Sequence, residues 1–341
     1  MTDGIYTLAN DVVYDQLVAL LNSIEVNAGR EIPVCVIPYN DRLDLVRAEV
    51  AKRKNVTLFE DNVAIARWEE FGTRIWNAHP RALKLWKEYG LPAIYRVERH
   101  RKLCCLDGPF DKFIFFDGDT LLMKPLDHVY QKLDDFDWIA NDFQHKSDLK
   151  YIFDWSEDKL KTIFPFENIH NRVFCSGWFA SKKGVFNDAM LENILASLEA
   201  GEADALAWAD SDQTVINYLV LKSGISYDNY TYHENIGNHC SSQFDVADNI
   251  LYSQGKRLTY IHYMSVSSSS FTRLCAGEDV DIPYRDVFLH YRYLNSPEAR
   301  PKTFTRPSVL ARFQKSTTGF VKQKVSNFML NYRNFQDRLK K

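Results

Sequence analysis

Apolar residues along the first third of the chain switch repeatedly between two spacings. Gly4-Ile5-Tyr6-Thr7-Leu8-Ala9 is a compact strand-like run, and Asp11 to Asn27 follows it with Val13, Leu17, Leu20, Leu21 and Ile24 at helical intervals. Pro33 to Pro38 predicts a buried strand, Leu43 to Lys52 a second helix, and Val56 to Phe59 a third, short strand. Ile94 to Leu106 predicts a further helix, stopped by Asp107-Gly108-Pro109. Lys112-Phe113-Ile114-Phe115-Phe116 then forms a hydrophobic strand that runs straight into Asp117. Alternation of this kind implies the α/β class, a mainly parallel central sheet with helices on both faces. Ligands of such sheets gather beyond the carboxyl ends of the strands, and Asp117 falls at such an end.

The second half is more mixed. Strands are expected at Asp137 to Asp142, at Val173 to Ser181 and at Arg257 to Met264, the last running into a Ser-rich loop, with a helix at Ser211 to Leu221. From Arg300 onward Asp337 is the only acid, among many Lys and Arg residues and interleaved Phe. The pattern divides the chain into a catalytic domain, 1–298, and a basic, aromatic-rich tail, 299–341. Leu310, Phe313, Phe320 and Phe328 beside Arg312, Lys315 and Lys322 suit either peripheral contact with an anionic membrane through 300–341 or a terminal helix packed on the domain.

Composition narrows the functional classes. A formal net charge of -3 excludes a general positive field, so no nucleic-acid partner is expected. The six cysteines lack CxxC spacing and fit neither a zinc site nor a disulfide framework, which leaves reduced thiols in a cytoplasmic enzyme. The residues before the first strand do not read as a signal peptide and no apolar stretch approaches the roughly 20 residues that span a bilayer, so a soluble or membrane-peripheral protein is expected.

The sharpest chemical feature is Phe115-Phe116-Asp117-Gly118-Asp119-Thr120-Leu121. Two carboxylates one residue apart at a strand end repel unless a cation or water screens them. Gly118 is expected to free the turn from a side-chain clash. A divalent ion with open positions there could also take two phosphate oxygens. A solvated polar strand end is the plainer reading of a bare DxD.

Other segments follow in order, and with them the chain resembles glycosyltransferase family 8, the glycogenin and lipopolysaccharide galactosyltransferase group. Tyr6-Thr7-Leu8-Ala9-Asn10-Asp11 with Tyr14 and Ser23-Ile24 resembles that family's first strand and nucleotide-binding turn. Arg101-Lys102-Leu103 precedes the DxD strand as a basic-Leu pair does there, and Cys175-Ser176-Gly177-Trp178-Phe179 is similar to its Asn-Ser-Gly strand. Asp210-Ser211-Asp212-Gln213 resembles its Asp-Gln motif, and Tyr260-Ile261-His262-Tyr263 the late strand with the metal histidine. The resemblance covers roughly residues 4–265. It departs in two places: Cys175 replaces the Asn, and Ser265-Val266-Ser267-Ser268-Ser269-Ser270 stands where the family has a glycine and Lys-Pro-Trp.

The resemblance implies a GT-A, Rossmann-like fold and a retaining, metal-dependent transfer of a hexosyl group from a nucleotide-diphosphate sugar, UDP-sugar being the expected donor. The acceptor would be the hydroxyl of a glycan, glycolipid or other molecule. Asp117, Asp119 and His262 would bind Mn2+ or Mg2+, although a lone buried histidine is also ordinary core structure. Thr7, Asn10 and Tyr14 would hold base and ribose, or else serve turn and core packing. Lys102 would reach the diphosphate, with Gly118, Asp142, Ser176 and Gly177 lining the donor. Asp212 and Gln213 would be catalytic; a helix cap is the other reading of Asp212. Two rival classes remain: a haloacid-dehalogenase-type phosphohydrolase, which prefers Thr or Val where Leu121 stands, and a degenerate transferase that binds nucleotide or glycan without turnover.

Overall fold

The computed structural model describes residues 2–142, 149–209, 211–234 and 236–306. Its strands, in chain order, are β1 (Asp3–Ala9), β2 (Val34–Pro38), β3 (Val56–Leu58), β4 (Lys112–Asp117), β5 (Thr120–Leu122) and β6 (Trp138–Ala140). There follow β7 (Trp178–Lys182), β8 (Tyr227–Asn229), β9 (Asp245–Ala247), β10 (Ile250–Ser253), β11 (Lys256–Arg257) and β12 (Tyr260–His262). Seven of them form the central sheet in the order β3-β2-β1-β4-β7-β6-β8. The β1–β2, β1–β4, β2–β3 and β6–β8 pairings are parallel, while β7 lies antiparallel between β4 and β6. The α/β class with a mainly parallel sheet is thus the observed architecture.

Alternation along each strand feeds two hydrophobic layers. Tyr6, Phe113 and Phe115 project to the side of the Asn62–Asn77 helix, where they meet Trp68, Phe71 and Phe179. Ile5, Ile114 and Phe116 project to the other side, against Leu17, Leu20 and Leu21 of the Tyr14–Asn27 helix. Both faces of β1 and β4 are therefore buried, which is why these strands read as unbroken apolar runs. A third cluster joins Leu121, Ile261, Tyr263, Phe271 and Phe288, and holds the C-terminal helices Ser268–Cys275 and Arg285–Arg292 beside the sheet.

Several sequence expectations are corrected. The predicted 94–106 helix is a 3-10 helix, Val97–Leu106, which starts after Arg96 at φ 59°. Its i, i+3 rows put Arg99 and Lys102 on one edge, where both meet Asp212. The strand expected from Val173 begins only at Trp178. The amides of Phe174 and Cys175 are taken by the side chains of Asn217 (3.0 Å) and Asp142 (3.2 Å) instead of a ladder. The 257–264 strand is divided between β11 and β12. The Ser-rich segment is no loop: Ser267 Oγ accepts from the Ser270 amide and caps the Ser268–Cys275 helix. Past the expected boundary at 298 the chain stays docked, with Thr305 bridged to Glu278 and Arg306 paired with Asp279. Residues 307–341, which carry the proposed membrane contact, lie outside the described residues. All six cysteines carry free thiols. Among the described residues no helix is long and apolar enough to cross a membrane.

Candidate active site

β4 ends in Asp117, the chain turns through Gly118, and β5 begins at Thr120, whose Oγ1 donates to the Asp117 carbonyl at 2.7 Å. β5 pairs antiparallel with β12 in a separate two-stranded ribbon that sets His262 across from Thr120. Main-chain bonds from His262 N to Asn238 O (2.8 Å), from Cys240 N to His262 O (3.0 Å) and from Tyr263 N to Asp119 O (2.9 Å) fix that placement. One ligand atom each from Asp117, Asp119 and His262 lies within 4.8 Å of the other two, and His262 Nε2 stands 3.2 Å from Asp119 Oδ1.

Glycine matters at this turn, but at a different position from the one expected. A Cβ on Gly118 would meet only the Leu8 carbonyl at 3.5 Å and Val13 at 3.9 Å, ordinary contacts. A Cβ on Gly177 would stand 2.3 Å from His262 Cε1 and 3.1 Å from Asp117 Oδ2. The imidazole therefore lies in a slot that only glycine leaves open.

Beneath the carboxylates sits a buried ion network. Lys102 Nζ contacts Asp117 Oδ1 at 2.9 Å, Asp212 Oδ2 at 2.8 Å and the Ser176 carbonyl at 3.1 Å, which engages all three donors of the ammonium. It also lies 4.9 Å from the centre of the Phe115 ring. Arg99 adds a 3.1 Å contact to Asp212 Oδ1, and Ser176 Oγ donates to Oδ2 at 3.2 Å. Burial would lower the Lys102 pKa, but Asp117 and then Asp212 overcome it and hold it raised. Burial opposes ionisation of Asp212, yet Lys102 and Arg99 hold it well below the usual carboxylate range. Burial pushes Asp117 up, Lys102 opposes and Asp119 adds to the rise. His262 is held well above the ordinary imidazole range against its burial, because Asp119 faces it, and Asp119 is correspondingly lowered against its own burial. A metal ligand must be neutral imidazole, so a cation binding here would displace that proton.

Above this network opens a cavity of about 340 Å³. Of the expected site residues, Lys102, Asp117, Gly118, Asp119, Ser176, Gly177, Asp212, Gln213 and His262 line it together. Asp212 lies within the first turn of the Ser211–Ser223 helix and its carboxylate accepts from Lys102 Nζ across the site at 2.8 Å; Asp210 lies outside the described residues. The other four do not line the cavity. Thr7 is buried within β1 with no partner for its hydroxyl among the described residues. Asn10 caps the turn after β1 by accepting from the Val12 amide at 3.0 Å. Tyr14 points to a separate groove, its hydroxyl on Glu49 at 3.2 Å and its ring under Arg292. Asp142 lies behind the wall, where its Oδ2 accepts from the Cys175 amide at 3.2 Å.

Sequence reasoning missed Arg99, as well as Gln16, Tyr39 and Ser268 on the cavity wall. Arg99 had a signal, its three-residue spacing from Lys102, which puts the two cations on one face of either an α-helix or a 3-10 helix.

No protein-family model matches the chain, and no curated protein matches it by sequence. Solved structures similar to it include the bifunctional glycosyltransferase WbbM, at 15% identity over 88% of this chain and 52% of that one, with a TM-score of 0.48. The chain thus spans about half of WbbM. The galactosyltransferase LgtC, in complex with donor and acceptor sugar analogues, is 15% identical over 80% of this chain and 95% of that one, with a TM-score of 0.48. The glycosyltransferase GlyE of Streptococcus pneumoniae is 10% identical over 85% and 61%, with a TM-score of 0.46.

Proposed function

We propose that the chain is a metal-dependent glycosyltransferase that moves a sugar from a nucleotide-diphosphate donor to an acceptor hydroxyl. The observation that carries this reading is the convergence of Asp117, Asp119 and His262 at the wall of a cavity that also contains Lys102, Asp212 and Gln213. Two carboxylate oxygens with one imidazole nitrogen suit manganese, with magnesium accepted, and the Gly177 slot keeps the imidazole within reach of both acids. A cation held there would neutralise charge gathering on the departing diphosphate.

The remaining work falls to the chain. Lys102, with every donor engaged, acts as the counter-charge that holds Asp117 and Asp212 in place and opposes the rise that burial imposes on both, a revision of the expectation that it reaches the phosphates. Asp212, held ionised by Lys102 and Arg99, sets a fixed negative charge in the cavity wall, suited to the positive character that develops at an anomeric carbon. Gln213 offers an amide to sugar hydroxyls from the same helix turn. A UDP-sugar donor, retention of configuration by same-face attack, and a glycan or glycolipid acceptor follow from the family resemblance. The phosphohydrolase reading is not favoured, because Leu121 departs from its motif and the DxD follows the fourth strand, not the first.

The test is release of nucleoside diphosphate from a panel of nucleotide sugars, with and without manganese. Release should require manganese, stop with chelator, and fall at least about 100-fold in Asp119→Asn, beyond the loss typical of residues that only support a ligand. Equal release without metal would sink the shared-cation reading. Metal-dependent nucleotide binding with no release from any donor would favour the degenerate binder.

A further inference from the structure

Backbone bonds fix where His262 leaves β12, but they do not decide which ring nitrogen faces the acids. A half-turn of the ring would exchange each nitrogen with a carbon, and a carbon toward Asp119 would leave the cation two ligands. Something must select the observed orientation. On the side away from Asp119, His262 Nδ1 lies 3.9 Å from Cys175 Sγ, within the range of a hydrogen bond to sulfur. Cys175 is itself pinned, because its amide donates to Asp142 Oδ2 at 3.2 Å and the next residues, Ser176 and Gly177, are tied to Lys102 and Asp117. Both Cys175 and Asp142 are buried. A line of contacts therefore runs from Asp142 through Cys175 to His262, ending at Nε2, 3.2 Å from Asp119.

Resting on the cation-site reading above, we propose that Cys175 is a positioning residue: its sulfur accepts from His262 Nδ1–H, so that the lone pair on Nε2 is presented to the cation. The thiol is not a fourth ligand, since Cys175 lies outside the group of ligand atoms that converge within 4.8 Å. It does what carboxylates and carbonyls do behind other metal-bound histidines, where the partner of the second nitrogen fixes tautomer and ring orientation. Asp142 gains its place in the site through the same line, as the group that holds the Cys175 main chain.

The experiment measures manganese affinity directly, from the spin-resonance signal of free Mn2+ during titration of otherwise unmodified full-length protein, without substrate. Cys175→Ala and Cys175→Val should each bind manganese about 10-fold more weakly, within the 10–100-fold span of supporting residues. Cys175→Asn, whose amide oxygen can accept from Nδ1–H, should recover most of the loss. A packing role predicts the opposite order, with valine recovering affinity and asparagine not, and that order would overturn the proposal. So would an alanine variant that binds as the wild type does. Should alanine or valine fail to fold, Cys175→Ser provides the contrast with asparagine: its shorter hydroxyl falls back from Nδ1 and should bind more weakly, and equal affinity for the two overturns the proposal. Wild-type protein that binds no manganese would overturn the cation site itself, whereas binding lost in His262→Ala but unchanged in every Cys175 variant would overturn this inference alone.

Discussion

At the scale of single residues, the site is governed by charge taken out of water. Lys102 is 1% exposed and balances two carboxylates at once, so Lys102→Met removes a cation and strands two acids. Breaking a buried pair this way costs on the order of 3–5 kcal/mol. The pH dependence has a definite sign. Asp212 is depressed in the native state, so its stabilisation is present above the unfolded carboxylate pKa and is lost as pH falls through the folded one. In the variant, burial without Lys102 raises both acids, and the penalty fades once they are protonated. Urea melts of metal-free protein should therefore show the widest gap between the two proteins near neutrality, closing toward the acid range; a gap that stays constant would reject this assignment. Legibility at this scale follows the same physics. Asp117, Asp119 and His262 are singled out by the order of motifs around them and not by their own residue types, and the fold brings one ligand atom of each within 4.8 Å of the other two. Tyr14 could not be placed, because the same spacing on the first turn of a helix serves Glu49 and Arg292 as well as it would serve a nucleobase.

Elements were legible where one force dominates. β1, β2 and β4 are buried on both faces, and their apolar runs announce it. The Asn62–Asn77 and Pro80–Glu88 helices went unassigned, although Asp61 caps the first and Pro80 opens the second. The Ser-rich segment misled for a different reason: serine favours caps and loops alike, and only packing of Phe271 and Leu274 decides for helix. That argument yields a measurable expectation. Ser267→Ala removes the acceptor for the Ser270 amide and should lower the stability of the domain by about 1 kcal/mol in urea melts, while Ser267→Asp should retain it. Equal loss in both would mean that the hydroxyl network with Ser269 and Ser270, and not the cap, is what matters.

Across the whole molecule, what the sequence conceals is which strands meet. Nothing local says that β7 enters antiparallel between β4 and β6, or that β12 leaves the main sheet to pair with β5. Those pairings are set by contacts between distant parts of the chain, and they create the site: β7 is entered through the Gly177 slot, and β12 carries His262. The β5–β12 ribbon has a consequence of its own. Its two strands come from opposite halves of the chain and share a short ladder, Thr120 to Leu122 against Tyr260 to His262. A cation gripped by Asp117, Asp119 and His262 would act as a removable staple across a very long loop, and closing such a loop weighs against opening it again. Manganese should accordingly slow amide hydrogen exchange in β5 and β12 while leaving the β2–β3 edge, far from the staple, at its metal-free rate. The protein would then carry a clasp that a bound cation fastens, with the Ser268–Cys275 and Arg285–Arg292 helices held to the sheet most firmly when the site is filled.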